Sequence, residues 1–69
     1  MKHELHFVDL LTYHLEDCHK PRKTSDNLSE LVSIARELRD CANKNAEQIR
    51  GYWAQIWIEL EYGEDIMTF

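Results

Sequence analysis

The fold of this chain is decided by residues 28–60, which read LSELVSIARELRDCANKNAEQIRGYWAQIWIEL. Apolar side chains recur in this stretch mostly in steps of three or four, the spacing that lines one face of an α-helix. The members of this apolar stripe are Leu28, Leu31, Ala35, Leu38, Ala42, Ile49, Trp53, Ile56 and Leu60. The pattern lapses only at Asn45. We therefore predict a long helix that the rest of the chain has to cover.

The start of this helix has a clear signal. Asn27 is followed three residues later by Glu30, which resembles a capping box. The preceding residues 19–27 contain Pro21 and a run of Thr, Ser, Asp and Asn, residue types that favour caps and turns. We predict a loop over 19–27 and a helix beginning near residue 26.

The end of the helix is set by a conflict of length. A continuous helix over 26–62 would be about 55 Å long, whereas a compact chain of this size has a radius of gyration of about 11 Å. Either the chain turns near residues 43–45, or at Gly51, to give a helical hairpin or three-helix fold, or the long helix packs against a second copy. We therefore predict one all-α domain over residues 1–69, completed by homodimerisation.

Both ends of the chain carry a rival strand pattern. Leu5 and Phe7 alternate with His6, which is typical of a short strand over 3–8, but Leu5 also shares a helical face with Val8 and later apolar residues. We predict a helix over at least 9–18, capped by Asp9, with residues 3–8 as an extended arm. Alternation also makes a strand over 55–62 an alternative to helix. Residues 63–69 are predicted to be a loosely ordered tail.

Composition limits the class of partner. The 69 residues are 43% hydrophobic and 30% charged, with a formal net charge of -5, which favours a protein partner over a phosphate backbone. The first residues lack the apolar core of a signal peptide, and no run approaches the roughly 20 apolar residues of a membrane span. We expect a cytoplasmic protein with reduced thiols.

The aromatic residues give the strongest indication of a binding surface. On a helix, four apolar side chains near residue 56 share one face, and a Trp pair with a flanking Tyr is typical of interface anchors. The predicted partner-binding residues are Tyr52, Trp53, Ile56, Trp57 and Leu60. The alternatives are that they form core and homodimer interface together, or a surface for another protein. Acidic neighbours favour a basic rim on that protein.

Other chemistry has weaker support. His14 and Cys18 stand four residues apart and could share a structural zinc ion, with Cys41 as a distant third ligand, but no metal-binding motif is complete and we predict no metal or cofactor. A helix-turn-helix over 28–42 and 46–61 would place Lys44 and Arg50 near the segment that reads DNA. No nucleophile with an orienting base is indicated, so we predict no catalysis.

Together these observations predict a small acidic protein-binding regulator or inhibitor that acts through an aromatic and apolar helical surface. Its composition is typical of phage or mobile-element accessory proteins. The alternatives are a DNA-binding transcriptional regulator and a small metal-stabilised module.

Overall fold

One helix packs on a four-stranded antiparallel sheet in the computed structural model, which describes residues 2–11, 20–60 and 65–69. In chain order the elements are β1 (His3–Asp9), β2 (Lys23–Ser25), α1 (Leu28–Gln48), β3 (Ala54–Leu60) and β4 (Asp65–Thr68). The all-α prediction is therefore wrong. The alternative strands expected over 3–8 and 55–62 correspond to β1 and β3.

The two central strands of the sheet come from opposite ends of the chain. The strand order is β2-β1-β3-β4, and β1 pairs with β3 along its whole length, with Glu4 opposite Glu59 and His6 opposite Trp57. β4 joins β3 with an irregular register between Ile58 and Glu59. The register of β1 on β3 determines which side chains meet on each face of the sheet.

The start of α1 confirms the predicted cap. The Glu30 backbone N–H donates to Asn27 Oδ1 at 3.4 Å, which satisfies one of the N–H groups that a helix start leaves without a partner. The Glu30 carboxylate accepts from Ser25 Oγ at 3.1 Å and lies 2.9 Å from Lys23 Nζ. These contacts tie the helix start to strand β2.

Over the described residues 49–60, the helix is followed by a strand rather than by a second helix. It runs through Asn43 and Asn45 to Gln48, and Gly51 then adopts a positive φ of 82°, a conformation that glycine reaches at little cost. The chain reverses there and returns as strand β3. The length conflict does not arise, because α1 ends at Gln48 and the sheet covers its apolar face. The predicted homodimerisation stays a prediction.

The core lies between α1 and one face of the sheet. Its fully buried members are Leu5, Leu31, Ala35, Ile56 and Ile58, and its partly buried members are Phe7, Leu28, Val32, Ile34, Leu38 and Phe69. Ala42 is also buried, whereas Ile49 lies beyond the helix end and is exposed. The helical stripe from 28 to 42 therefore forms an intramolecular core, as its spacing indicates.

Three segment predictions need correction. Asp9 is the last residue of β1 rather than a helix cap, and residues 12–18 of the predicted first helix lie outside the described residues. The predicted loop contains strand β2. The predicted tail contains strand β4, and the backbone N–H of Phe69 donates to the Ile56 carbonyl at 2.8 Å. Because β2 and β4 are three and four residues long, they carry almost no periodicity to detect.

No helix within the described part of the chain is long and apolar enough to span a lipid bilayer.

Candidate functional site

Polar side chains gather on the face of the sheet that is turned away from α1. Because successive strand residues point to opposite faces, the residues between the core positions of β1 and β3 project together on this far face. We call Glu4, His6, Trp57 and Glu59 the far-face cluster. Two members come from each strand, and they form two directly opposed pairs, Glu4 with Glu59 and His6 with Trp57.

His6 lies at the centre of the far-face cluster. The residue is only 5% exposed, and its Nε2 is 3.3 Å from Glu4 Oε1 and 3.1 Å from Glu59 Oε1. Within the described residues, its buried Nδ1 atom has no hydrogen-bond partner. A neutral imidazole that carries its proton on Nε2 donates that proton between the two carboxylates.

Trp57 holds both His6 and Glu59 in place. Its ring stacks on the imidazole with centroids 5.1 Å apart and an interplanar angle of 6°. Its indole Nε1–H donates to Glu59 Oε2 at 3.0 Å. Glu59 therefore uses one oxygen for the indole and presents the other to His6.

The charges of the far-face cluster are unusual for a strand pair. Two carboxylates directly opposite each other on neighbouring strands repel, and such pairs destabilise a sheet. The Glu4 and Glu59 side chains are only 22% and 18% exposed, so water screens this repulsion incompletely. A hydrogen-bond donor or a cation placed between the two carboxylates would offset their repulsion.

The ligand types in the cluster suit a metal ion. One oxygen from each carboxylate and the imidazole Nε2 all lie within 4.8 Å of one another. Imidazole and carboxylate together are ligands for divalent first-row transition metals. The cluster can therefore either hold a proton between its members or coordinate a cation.

A second feature lies at the end of the sheet where β1 finishes and β3 begins. We call Leu10, Leu11, Ile49 and Trp53 the apolar end. The Leu10 backbone N–H donates to the Trp53 carbonyl at 3.0 Å, and the Tyr52 N–H to the Ile49 carbonyl at 3.1 Å, which brings these segments together. They are four of the five large apolar residues that are exposed within the described part of the chain.

Tyr52 fastens the apolar end to the sheet. Its hydroxyl donates to Oδ2 of the buried Asp9 at 2.9 Å. Burial raises the pKa of Tyr52, and the Asp9 carboxylate raises it further, while a hydrogen bond with Asn45 of α1 acts in the opposite direction. The hydroxyl is thus protonated at neutral pH and links β1 to the turn that follows the helix.

The five predicted partner-binding residues do not share one face. Ile56 is buried in the core, and Leu60 lies half-buried on the same side of β3. Trp57 projects on the far face, Trp53 is 41% exposed at the apolar end, and Tyr52 contacts Asp9. Residues 54–60 form a strand whose side chains alternate between faces, and Tyr52 and Trp53 lie in the connection before it.

The structure contradicts one of the two alternative sites, the helix-turn-helix, and does not describe the main residues of the other, the zinc site. The helix-turn-helix alternative is wrong, because residues 54–60 form strand β3. His14 and Cys18 lie outside the described residues, so the zinc alternative built on them stays a prediction. Cys41, its distant third ligand, is an exposed free cysteine on α1.

Sequence reasoning missed the far-face cluster because its parts lie far apart along the chain. Glu4 and His6 are separated from Glu59 by more than fifty positions. The detectable signal was the spacing of Glu4 and His6 two residues apart, which places both on one face only if the segment is a strand.

Comparison of the chain with protein-family models, curated proteins and solved structures finds no match.

Proposed function

We propose that this protein is a small non-catalytic regulator or inhibitor that acts by binding protein, and that the apolar end is its contact surface. The observation that carries the proposal is that four exposed large apolar residues lie on segments that backbone hydrogen bonds hold together at one end of the sheet. Scattered exposed apolar residues are ordinary, but a contiguous group is typical of interaction sites. The proposal moves the predicted binding surface from a helical face to this end.

Trp53 is the expected anchor of the contact. Tryptophan is among the residues that contribute most to binding when it becomes buried in an interface. At 41% exposure its ring retains apolar surface that a partner can cover, while its backbone carbonyl is fixed by Leu10. An anchor on a fixed backbone loses little conformational freedom on binding.

We further propose that a second copy of the chain is one partner of this surface. A chain of 69 residues buries only about 60% of its unfolded surface, so an added apolar contact stabilises it substantially. The net charge of -5 makes two copies repel, and added salt should therefore strengthen self-association. Binding of a basic partner at the same surface would instead weaken with salt.

Sedimentation equilibrium over a dilution series tests the proposal. We expect a wild-type mass of twice 8.3 kDa at high concentration, and a monomer for Trp53→Ser. Ile66→Ser is the matched control, because Ile66 is 39% exposed on β4, away from the apolar end, and it should leave the dimer intact. Circular dichroism of each variant checks that the fold is retained.

Two results would contradict the proposal. A wild-type protein that stays monomeric at every concentration and salt level would remove self-association. A dimer that survives Trp53→Ser but dissociates with Ile66→Ser would place the interface at the β4 edge rather than at the apolar end.

A further inference from the structure

We propose that Glu4, His6 and Glu59 form a binding site for a divalent first-row transition-metal ion, which links strand β1 to strand β3. The ligands are Oε1 of Glu4, Nε2 of His6 and Oε1 of Glu59. This inference is independent of the apolar end and of its proposed partner. It rests on the geometry, charge and orientation of the far-face cluster.

The two distances from the imidazole nitrogen match those between neighbouring ligand atoms of a metal ion, and the two carboxylate oxygens lie within 4.8 Å of each other. Bonds of about 2.1 Å to nitrogen and oxygen place neighbouring ligand atoms about 3.0 to 3.4 Å apart in octahedral or tetrahedral geometry. The imidazole nitrogen lies 3.3 Å from one carboxylate oxygen and 3.1 Å from the other. An ion here binds Nε2 of the tautomer that carries its single proton on Nδ1. It fits between these three atoms with little movement of the strands.

The charges also favour an ion. Glu4 and Glu59 lie directly opposite each other, and a divalent cation neutralises both carboxylates where a single shared proton cannot. Neutralising the pair removes the repulsion between opposed like charges on adjacent strands. The metal ion should consequently stabilise the pairing of β1 with β3.

The ligands are held in position before any ion binds. His6 is more than nine-tenths buried, its ring stacks on Trp57, and its Nε2 points between the two carboxylates. The indole N–H of Trp57 holds the second oxygen of Glu59. Such hydrogen bonds to the ligands of a metal orient them and typically contribute 10- to 100-fold in affinity.

The ligand set indicates the class of ion. One imidazole and two carboxylates suit Zn²⁺, Mn²⁺ or Fe²⁺. Soft ions that prefer thiolate ligands find no such ligand among these three residues. Three protein ligands leave further coordination positions for water. Zn²⁺ is the probe of choice, because among these three ions it binds nitrogen and oxygen ligands most tightly.

A Zn²⁺ titration of the full chain, followed by ¹⁵N spectra of the histidine imidazoles, locates the ion. We expect a saturable change at Nε2 of His6 with one equivalent of Zn²⁺. His3 is the internal control, because it lies on the same strand three residues away, on the opposite face. Its signals should change little. Saturation at the other histidines without a change at His6 would overturn the proposal.

Conservative variants test each ligand. Glu59→Gln and Glu4→Gln keep the shape of the side chain and should weaken Zn²⁺ binding at His6 by at least tenfold, and Trp57→Phe by about tenfold. Glu37→Gln, at an exposed position on α1, is the matched control and should leave the affinity unchanged. Equal affinity in Glu59→Gln and wild type would contradict the proposed site.

A thermal measurement provides a second readout. Ligands that bind only the folded state raise its unfolding temperature. Zn²⁺ should therefore raise the thermal midpoint of the wild type and of Glu37→Gln, but not that of Glu59→Gln. If a Gln variant fails to fold, the imidazole spectra of the wild type still decide between His6 and the other histidines.

Discussion

The two faces of the central strand pair differ in chemistry, although both are built from β1 and β3. Successive residues of each strand point to opposite faces. On the face toward α1, Leu5, Ile56 and Ile58 are fully buried in an apolar core. On the far face, His6 lies between two carboxylates and is stacked on Trp57. A single register, with Glu4 opposite Glu59, fixes both faces at once.

This contrast shows how a short chain can separate stability from chemistry. Burial of apolar surface toward the helix contributes free energy that does not depend on direction. The far face contributes hydrogen bonds and charge interactions, which are strong only at particular distances and angles. A shift of one residue in register would exchange the two faces and destroy both.

The largest expected effect tests the apolar face. Ile56→Ala should lower the free energy of unfolding by about 2 to 5 kcal/mol, because it opens a cavity among fully buried neighbours. Urea denaturation measures the change. Ile66→Ala, at an exposed position on β4, is the control and should change it by less than about 0.5 kcal/mol. Similar losses in both variants would mean that Ile56 is not in the core.

A smaller effect tests the far face. His6→Leu removes the donor between two opposed carboxylates and should lower the free energy of unfolding by about 2 kcal/mol in metal-free buffer. Adding Glu59→Gln to His6→Leu should restore part of that loss, because it removes the like-charge pair. A double variant that is less stable than the sum of the two single variants would argue against the repulsion.

The next prediction concerns Asp9, a buried polar residue that lies on the same side of β1 as Leu5. Tyr52→Phe removes the hydroxyl that donates to Asp9 and should cost about 1 kcal/mol at pH 7. Burial raises the pKa of Tyr52 above its usual 10.0, so its contribution is fully present below pH 10.0 and is lost as the pH rises through the folded-state pKa.

Denaturation at alkaline pH checks this assignment. The wild type should lose stability above pH 10.0 more steeply than Tyr52→Phe, which lacks the titrating hydroxyl. Tyr13→Phe provides a comparison at another tyrosine of the chain. Identical alkaline slopes for the wild type and Tyr52→Phe would show that the hydroxyl is not held in the folded protein.

The smallest effect on stability is expected at the exposed start of α1, which belongs to neither face of the sheet. The hydrogen bond with Lys23, followed by that with Ser25, lowers the pKa of Glu30 from 4.5. Its contribution is therefore present above pH 4.5 and is lost as the pH falls through the folded-state pKa. Glu30→Gln should remove this acid dependence, and added salt should reduce the part due to Lys23.

The helix half of the fold could be predicted from sequence, because its signals are local. Asn27 and Glu30 mark the cap, and apolar residues at helical spacing from Leu28 to Ala42 mark the buried face. The sheet could not be predicted in the same way. In β3, Ile56 and Leu60 fit both a helical step of four and a strand step of two, so the pattern alone does not discriminate.

The strand assignment depends on partners that are distant in sequence. β3 exists because β1, near the start of the chain, pairs with it along its length, and propensity within 54–60 does not reveal that pairing. The far-face cluster could not be predicted from local sequence either, because only this register brings Glu59 next to Glu4. Local reasoning could identify His6 as unusual, but not the carboxylates that surround it.

The separation of the two faces can be measured most directly by nuclear Overhauser contacts in the full chain. We predict contacts between the His6 and Trp57 rings, and separate contacts from Ile56 and Ile58 to Leu31 and Ala35 of the helix. Sequential amide contacts typical of a helix over 54–60, or contacts from Trp57 to the helix in place of Ile56, would contradict the account.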